Sequence, residues 1–397
     1  MSDSMTPFGM QARTQWQCRV QSAKCRVQSE DRNSESVTLH FSLCTRHSAL
    51  CWLLAGLWTL GLFATPVAAQ PPNARIGEVV PRDVREMYDR GLQYLALTQS
   101  ENGDWSGGGE QPGPGVTGLG VMVFLASGED PNFGLYSNHV RKACRNIITQ
   151  QNASTGYLGN SMYHHGFGML GLAEAYGAVD DRSLWPEGKG KDQRSIGVAL
   201  ELAVRAAITS QKKNPLGAWR YSPDATDGDT SVSGAVLVGL LASRNAGIEV
   251  PDEVIDKAIS YYTKMTAASG QVAYSGGIGG FDESLARISI ATLVYAIARR
   301  KDLPQFKSTL GYLVNKWEFT GPSGFGWMEY QRYYQAQALF QGDVETWEKW
   351  NKLLIRQFKA QQLPDGSFKG QFGPATSTSL SLLAVALNYR FLPIYER

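Results

Sequence analysis

Arg90-Gly91-Leu92-Gln93-Tyr94-Leu95-Ala96-Leu97-Thr98-Gln99-Ser100-Glu101-Asn102-Gly103-Asp104-Trp105 reads as one helix, one turn and one anchor. Leu92, Tyr94, Leu95 and Leu97 follow helical spacing, and Asn102-Gly103 ends the helix with a residue that tolerates positive φ. Trp105 then folds back against the helix. Weaker copies occupy 142–157, 204–219, 257–274, 312–327 and 354–368. The aromatic residues that close the six units stand at 105, 157, 219, 274, 327 and 368, with spacings of 52, 62, 55, 53 and 41 residues. A period of about 50 marks a repeat array, so 81–397 is expected to be one repeat domain and not several independent ones.

Between these amphipathic helices lies a second kind, small and apolar on nearly every side, at 118–126, 166–176, 234–242, 288–298, 334–340 and 379–388. A helix apolar all round must be buried all round. About six outer and six inner helices closing into a ring give an all-α fold, an α/α toroid. An open solenoid is the alternative, and neither end carries the atypical capping repeat that a solenoid needs. A closed ring leaves no repeat face unpaired, which predicts a monomer.

The spacing Arg-Gly-x-x-Tyr-Leu-x-x-x-Gln-x-x-x-Gly-x-Trp at 90–105 resembles the QW motif of squalene and oxidosqualene cyclases. The chain is accordingly similar to the prenyltransferase/squalene-oxidase repeat proteins, as a secreted bacterial-type member. That resemblance implies the toroid shared by terpenoid cyclases and protein prenyltransferases, with its chemistry in a central cavity. Asp224-Ala225-Thr226-Asp227-Gly228-Asp229-Thr230-Ser231 is similar to the Asp-x-Asp-Asp-Thr-Ala acid motif of class II terpene cyclases, but aligning Thr230 puts Gly228 where the acid belongs. One carboxylate beside a glycine is a poor substitute for an acid strong enough to protonate an alkene. The Asp, Cys and His zinc set of the prenyltransferases is also missing, since His139 and Cys144 are five residues apart on a helix and point apart. No metal and no cofactor are expected. The Cys-Gly-Glu-Gln piece of complement-type thioester domains is absent too.

Ahead of the repeats, 1–47 is polar and aperiodic and reads as an unstructured or mis-assigned extension. Arg46 and His47 precede residues 48–69, whose apolar run and closing small residues Val67-Ala68-Ala69 make the pattern of a signal peptide cleaved after Ala69. Residues 70–80 form a linker. The chain is therefore expected to be secreted or periplasmic, and to meet a membrane only if the apolar run is left uncleaved. Cleavage leaves Cys144 alone, so no internal disulfide can form. It also leaves 32 Lys/Arg against 32 Asp/Glu, which gives nucleic-acid binding little support.

Polar residues concentrate where each loop meets an inner helix, and all six junctions converge on one mouth of the ring. Asp229 and Asp227 are the candidate catalytic pair. Tyr163, His165, Asp282, Glu283, Glu329, Tyr330 and Tyr333 are candidate substrate-binding residues, with the aromatic residues Trp219, Tyr221, Tyr274 and Trp327 nearby. Each acid also has a plain structural explanation, because Asp and Thr at a helix start satisfy free backbone amides. His165 is preferred to His164, with a core contact to Glu174 as the other explanation. Whether the protein is an enzyme stays open at this level. The missing acid and zinc favour a secreted module holding an apolar or isoprenoid-like small-molecule ligand, or a peptide, in the cavity. One alternative is a polysaccharide hydrolase or lyase using the mouth carboxylates Asp229, Asp282 and Glu329. A second is a terpenoid cyclase-like enzyme with an altered acid.

Overall fold

The computed structural model describes residues 80–105, 113–185, 193–276, 283–318 and 327–395. The chain divides into units Met1–Pro71 and Pro72–Arg397, and the fold described is that of the second. The predicted extension, signal peptide and nearly all of the linker lie outside the described residues, as do Asp282 and the loop 106–112.

Among the described residues, twelve α-helices follow in order: α1 Arg82–Thr98, α2 Pro114–Ala126, α3 Ser137–Gln150, α4 Met162–Ala175, α5 Ile196–Lys213, α6 Thr230–Asn245, α7 Asp252–Met265, α8 Leu285–Ile297, α9 Pro304–Asn315, α10 Met328–Gly342, α11 Val344–Gln361 and α12 Pro374–Ala386. No β-strand occurs among the described residues. The even-numbered helices form the inner ring, each packing on the next, and α12 returns to pack on α2. The odd-numbered helices sit outside. The fold is the expected α/α toroid of six outer and six inner helices.

The inner helices close up because small residues let their backbones meet. A Cβ on Gly171 of α4 would stand 2.6 Å from the Cα of Gly118 on α2, and one on Gly166 would stand 2.6 Å from the Ala235 carbonyl carbon of α6. All thirteen residues of α2 are buried as a result.

The repeat turn has a second task, which is to lock each outer helix to the next. Gln99 Nε2 donates to the Gly103 carbonyl of its own turn (3.1 Å) and to His139 of α3 (3.0 Å). Gln151 does the same with Gly156 (3.0 Å) and Ala199 of α5 (2.8 Å), and Gln211 with Gly217 (2.9 Å) and Val254 of α7 (2.9 Å). In the last repeat Gln362 donates to Gly366 (2.9 Å) and to Met87 of α1 (2.8 Å), so the same device that links neighbours also closes the ring. The turn glycines take positive φ, and Gly366 (φ 91°) lies directly against the Arg90 carbonyl.

Helix α10 departs from the expected pattern. The sequence suggests a short apolar helix over 334–340, but the helix runs from Met328 to Gly342 and buries Gln331, Gln335, Gln337 and Gln341 with its tyrosines.

Candidate active site at the mouth of the ring

At one end of the ring the N-terminal parts of α2, α4, α10 and α12 line a cavity of about 380 Å³. Gly115, Val116 and Leu119 of α2 line it, with Tyr163, His164 and Phe167 of α4, Tyr330 of α10, and Thr376 and Leu380 of α12. Ser161, Tyr221, Tyr274, Trp327, Gln371 and Phe372 reach in from the connecting turns. The lining is mostly apolar and aromatic. Among the described residues, no carboxylate lines it.

Backbone bonds across repeats place these side chains. The Met162 amide donates to the Tyr221 carbonyl (2.9 Å) and the Thr230 amide to the Tyr274 carbonyl (3.0 Å), so each aromatic turn is pinned to the first residue of an inner helix. The hydroxyls of Tyr221 and Tyr274 meet at 2.7 Å. Arg220 lies over both rings, 5.6 and 5.9 Å from their centroids, and Arg287 lies 6.0 Å from the Tyr274 ring.

Asp229 sits directly behind this pair, fully buried. Its Oδ1 caps α6, accepting from the amides of Ser231 (2.7 Å) and Val232 (3.1 Å). Its Oδ2 is buried with no aligned hydrogen bond, although the Tyr274 hydroxyl lies close enough to draw on its charge. Burial raises the carboxyl above the usual aspartate range, and Tyr274, the two amides and Arg220 only partly oppose it. Asp229 is thus biased toward its protonated form, beside a hydroxyl pair that reaches the cavity.

Asp227 is not its partner. Its carboxylate turns outward to an ion pair with Arg220 (2.7 Å). Glu329 is buried at the start of α10 and accepts from the Gln371 amide (2.9 Å) and the Ser377 hydroxyl (3.1 Å), just behind the cavity wall. Glu283 lies at the surface, paired with Lys316 (3.0 Å). Asp282 lies outside the described residues. Tyr163 and Tyr330 line the cavity, whereas Tyr333 is buried one turn below it.

The two histidines have exchanged the parts expected of them. His165 is fully buried; its Nδ1 accepts from the Leu158 amide (3.0 Å), and its Nε2–H donates to the Ala203 carbonyl (3.0 Å). Both nitrogens are used in the core, which is why His165 does not face the cavity or Asp229. His164 does line the cavity. Its Nδ1 accepts from the Gly115 amide (3.2 Å), and burial lowers its pKa, so the ring is neutral with its proton on Nε2. Gly115 is required here, since a Cβ would stand 2.8 Å from the His164 Cα. His164 was passed over for His165, and Gln371, Phe372 and Thr376 were not singled out by the sequence.

Among the described residues no cluster of three His, Cys, Asp or Glu side chains is arranged to hold a metal. Cys144 is buried, and that burial pushes its thiol up to about 12.

No protein-family model matches the chain, and no curated protein matches it. Solved structures do. The type II terpene cyclase MstE from Scytonema, in complex with geranylgeranyl dihydroxybenzoate, superposes with a TM-score of 0.53 at 14% identity, covering 78% of this chain and 98% of the cyclase. An α-1,6-mannanase of glycoside hydrolase family 76 from Salegentibacter superposes with a TM-score of 0.56 at 11% identity, covering 77% and 99%. A family 76 mannosidase from Bacteroides thetaiotaomicron gives 0.55 at 12%, covering 77% and 98%. At these identities the likeness establishes the fold. It also corrects the expectation of a non-catalytic binding module drawn from the missing acid and zinc. The architecture that spans nearly the whole of those chains is an enzyme scaffold for two unrelated chemistries, so lacking one acid motif does not mark a ring of this kind as inert.

Proposed function

We propose that the protein is an enzyme acting on polysaccharide, a hydrolase or lyase that works at the mouth of the ring with Asp229 as its general acid. The observation that carries this is the Asp229 carboxyl: buried, biased toward the protonated form, and joined to the cavity through Tyr274 and Tyr221. A carboxyl that burial makes hold its proton more tightly than an ordinary aspartate suits proton donation to a glycosidic oxygen. Glu329 is the proposed second carboxylate, at the start of α10 in the same mouth. Tyr163, Tyr221, Tyr274, Trp327 and Tyr330 offer flat faces for sugar rings, with hydroxyl or N–H tips for the sugar hydroxyls. His164 supplies an N–H donor.

The mostly apolar lining favours a second reading, a cyclase-like enzyme on an isoprenoid. The acid argues against it, because raising a carboxyl's pKa makes it a weaker proton donor and alkene protonation needs a stronger one. The test is turnover by the purified protein on a panel of mannans and other polysaccharides, followed by release of reducing ends, and on polyprenyl substrates. Asp229→Asn should keep the fold and lower polysaccharide turnover by about 10²–10⁴-fold. Turnover of polyprenyl substrates alone would transfer the assignment to the second reading. Full activity in Asp229→Asn would remove Asp229 from the mechanism.

A further inference from the structure

Helix α10 is buried along its length, and while Arg332, Gln337 and Gln341 find partners within the protein, a group of its other polar side chains does not. The hydroxyls of Tyr330, Tyr333 and Tyr334 and both amide atoms of Gln335 are buried and reach no protein hydrogen-bond partner. Buried polar groups are nearly always paired, and an unpaired one is expensive, so five such atoms on two turns of one helix call for a partner. The neighbouring side chains come close but supply no aligned bond. The Tyr330 hydroxyl lies near those of Tyr163 and Tyr334, and the Tyr333 hydroxyl near the Gln337 amide, in each case without an aligned bond.

The three tyrosines are contiguous. Tyr330 lines the mouth cavity, its ring lies 4.9 Å from Tyr334, and Tyr334 lies 4.8 Å from Tyr333. Tyr333 is within electrostatic reach of the buried Glu174 and of Tyr395, whose hydroxyl is also buried and unpaired. Gln341, at the far end of α10, donates to the Tyr395 carbonyl (3.4 Å) and lines a second cavity of about 710 Å³. The tyrosines and Gln341 thus form a file down the inner ring, from the mouth cavity to a cavity at the other end, with Gln335 between them on the same helix.

We propose that this file binds ordered water and serves as the proton path between solvent and the site at the mouth. A buried water needs two to four polar partners, and hydroxyls and amides spaced one helical turn apart provide them. When Asp229 gives up its proton, the carboxylate takes one back from the water nearest Tyr163 and Tyr330. Each water then receives a proton from the next, and a hydronium ion at the far cavity supplies the last. The use as a proton path rests on the proposed role of Asp229. The hydrated file does not.

A high-resolution crystal structure of the full-length protein tests the file. Waters should lie within about 3.2 Å of Tyr333, Tyr334 and Gln335, and a dry interior at these positions overturns the proposal. Unfolding gives an independent reading. Gln335→Leu should lower the melting temperature by about 2 °C if the amide is paired with water, and a higher melting temperature would show an orphan instead and overturn the file. Tyr334→Phe, which removes one oxygen with little change in volume, gives the same reading if Gln335→Leu does not fold. Tyr334→Phe should also slow turnover several-fold and enlarge its solvent isotope effect, while Asp229→Asn loses turnover outright. Unchanged turnover in Tyr334→Phe would overturn the proton path even with the waters in place.

Discussion

His164 and His165 are one helical step apart, and that step turns one ring into the cavity and the other into the core. The difference predicts a pH effect. Burial holds His165 down to about 4 in the fold, against 6.5 for an ordinary histidine. As pH falls, the unfolded chain takes up this proton first, so stability is lost between those two values and is fully present above them. His165→Asn should flatten that part of a stability-against-pH curve, and an unchanged slope would assign the loss to other groups. Asp229 titrates in the opposite sense. Its folded pKa is raised, so the unfolded chain releases this proton first as pH rises, and stability falls through the interval up to the native value. Asp229→Asn should remove that fall while keeping the cap. Asp229→Ala also loses both amide bonds and should cost about 0.5–2 kcal/mol in chemical denaturation below that interval, where the wild-type carboxyl is protonated.

At the scale of the element, the turn glycines and glutamines hold one outer helix to the next. Gly366 and Gly177 both take positive φ, 91° and 83°, but only Gly366 lies against a neighbouring backbone, that of Arg90, while a Cβ on Gly177 would meet nothing within 4 Å. Gly177→Ala should therefore carry only the backbone strain, about 1 kcal/mol. Gly366→Ala adds a clash at the ring closure and should cost clearly more, as read by urea unfolding of the two variants side by side. Equal losses would mean that the closure yields freely. The aromatic anchors divide in the same way. Trp105 and Trp219 are buried and donate to Leu95 and Ala207 (both 2.9 Å), whereas Trp327, from the same register, is 46% exposed and lines the cavity.

The described residues form a ring whose first and last repeats complete each other. Helix α1 packs on α11 and α12, and Arg90 donates to the Leu363 carbonyl (2.5 Å). An open array can lose an end repeat and keep the rest, since each repeat contacts only its neighbours. A closed one exposes two faces at once. Deleting residues 82–98 should therefore abolish the sharp unfolding transition, as measured by near-UV circular dichroism, and not merely lower its midpoint. A shortened chain that still unfolds sharply would show that the seam is dispensable.

Much of this was legible in the sequence because it is local. The alternation of amphipathic and all-apolar helices and the recurring Gln, Gly and aromatic turn are set by side-chain periodicity within one repeat, and together they determine twelve helices in a ring. The mouth was legible for the same reason, since six equivalent junctions must point the same way. What only the tertiary structure decided are relations between repeats: that His164 and not His165 faces the cavity, that Asp227 turns out to Arg220 while Asp229 is sealed behind Tyr274, and that a glutamine-rich helix stands inside the ring. A helix turns about 100° per residue, so the direction of a side chain depends on a register that a neighbour one residue away does not share. The state of a carboxyl or an amide depends on atoms supplied by other helices, often tens of residues distant. Those atoms meet only when the ring closes.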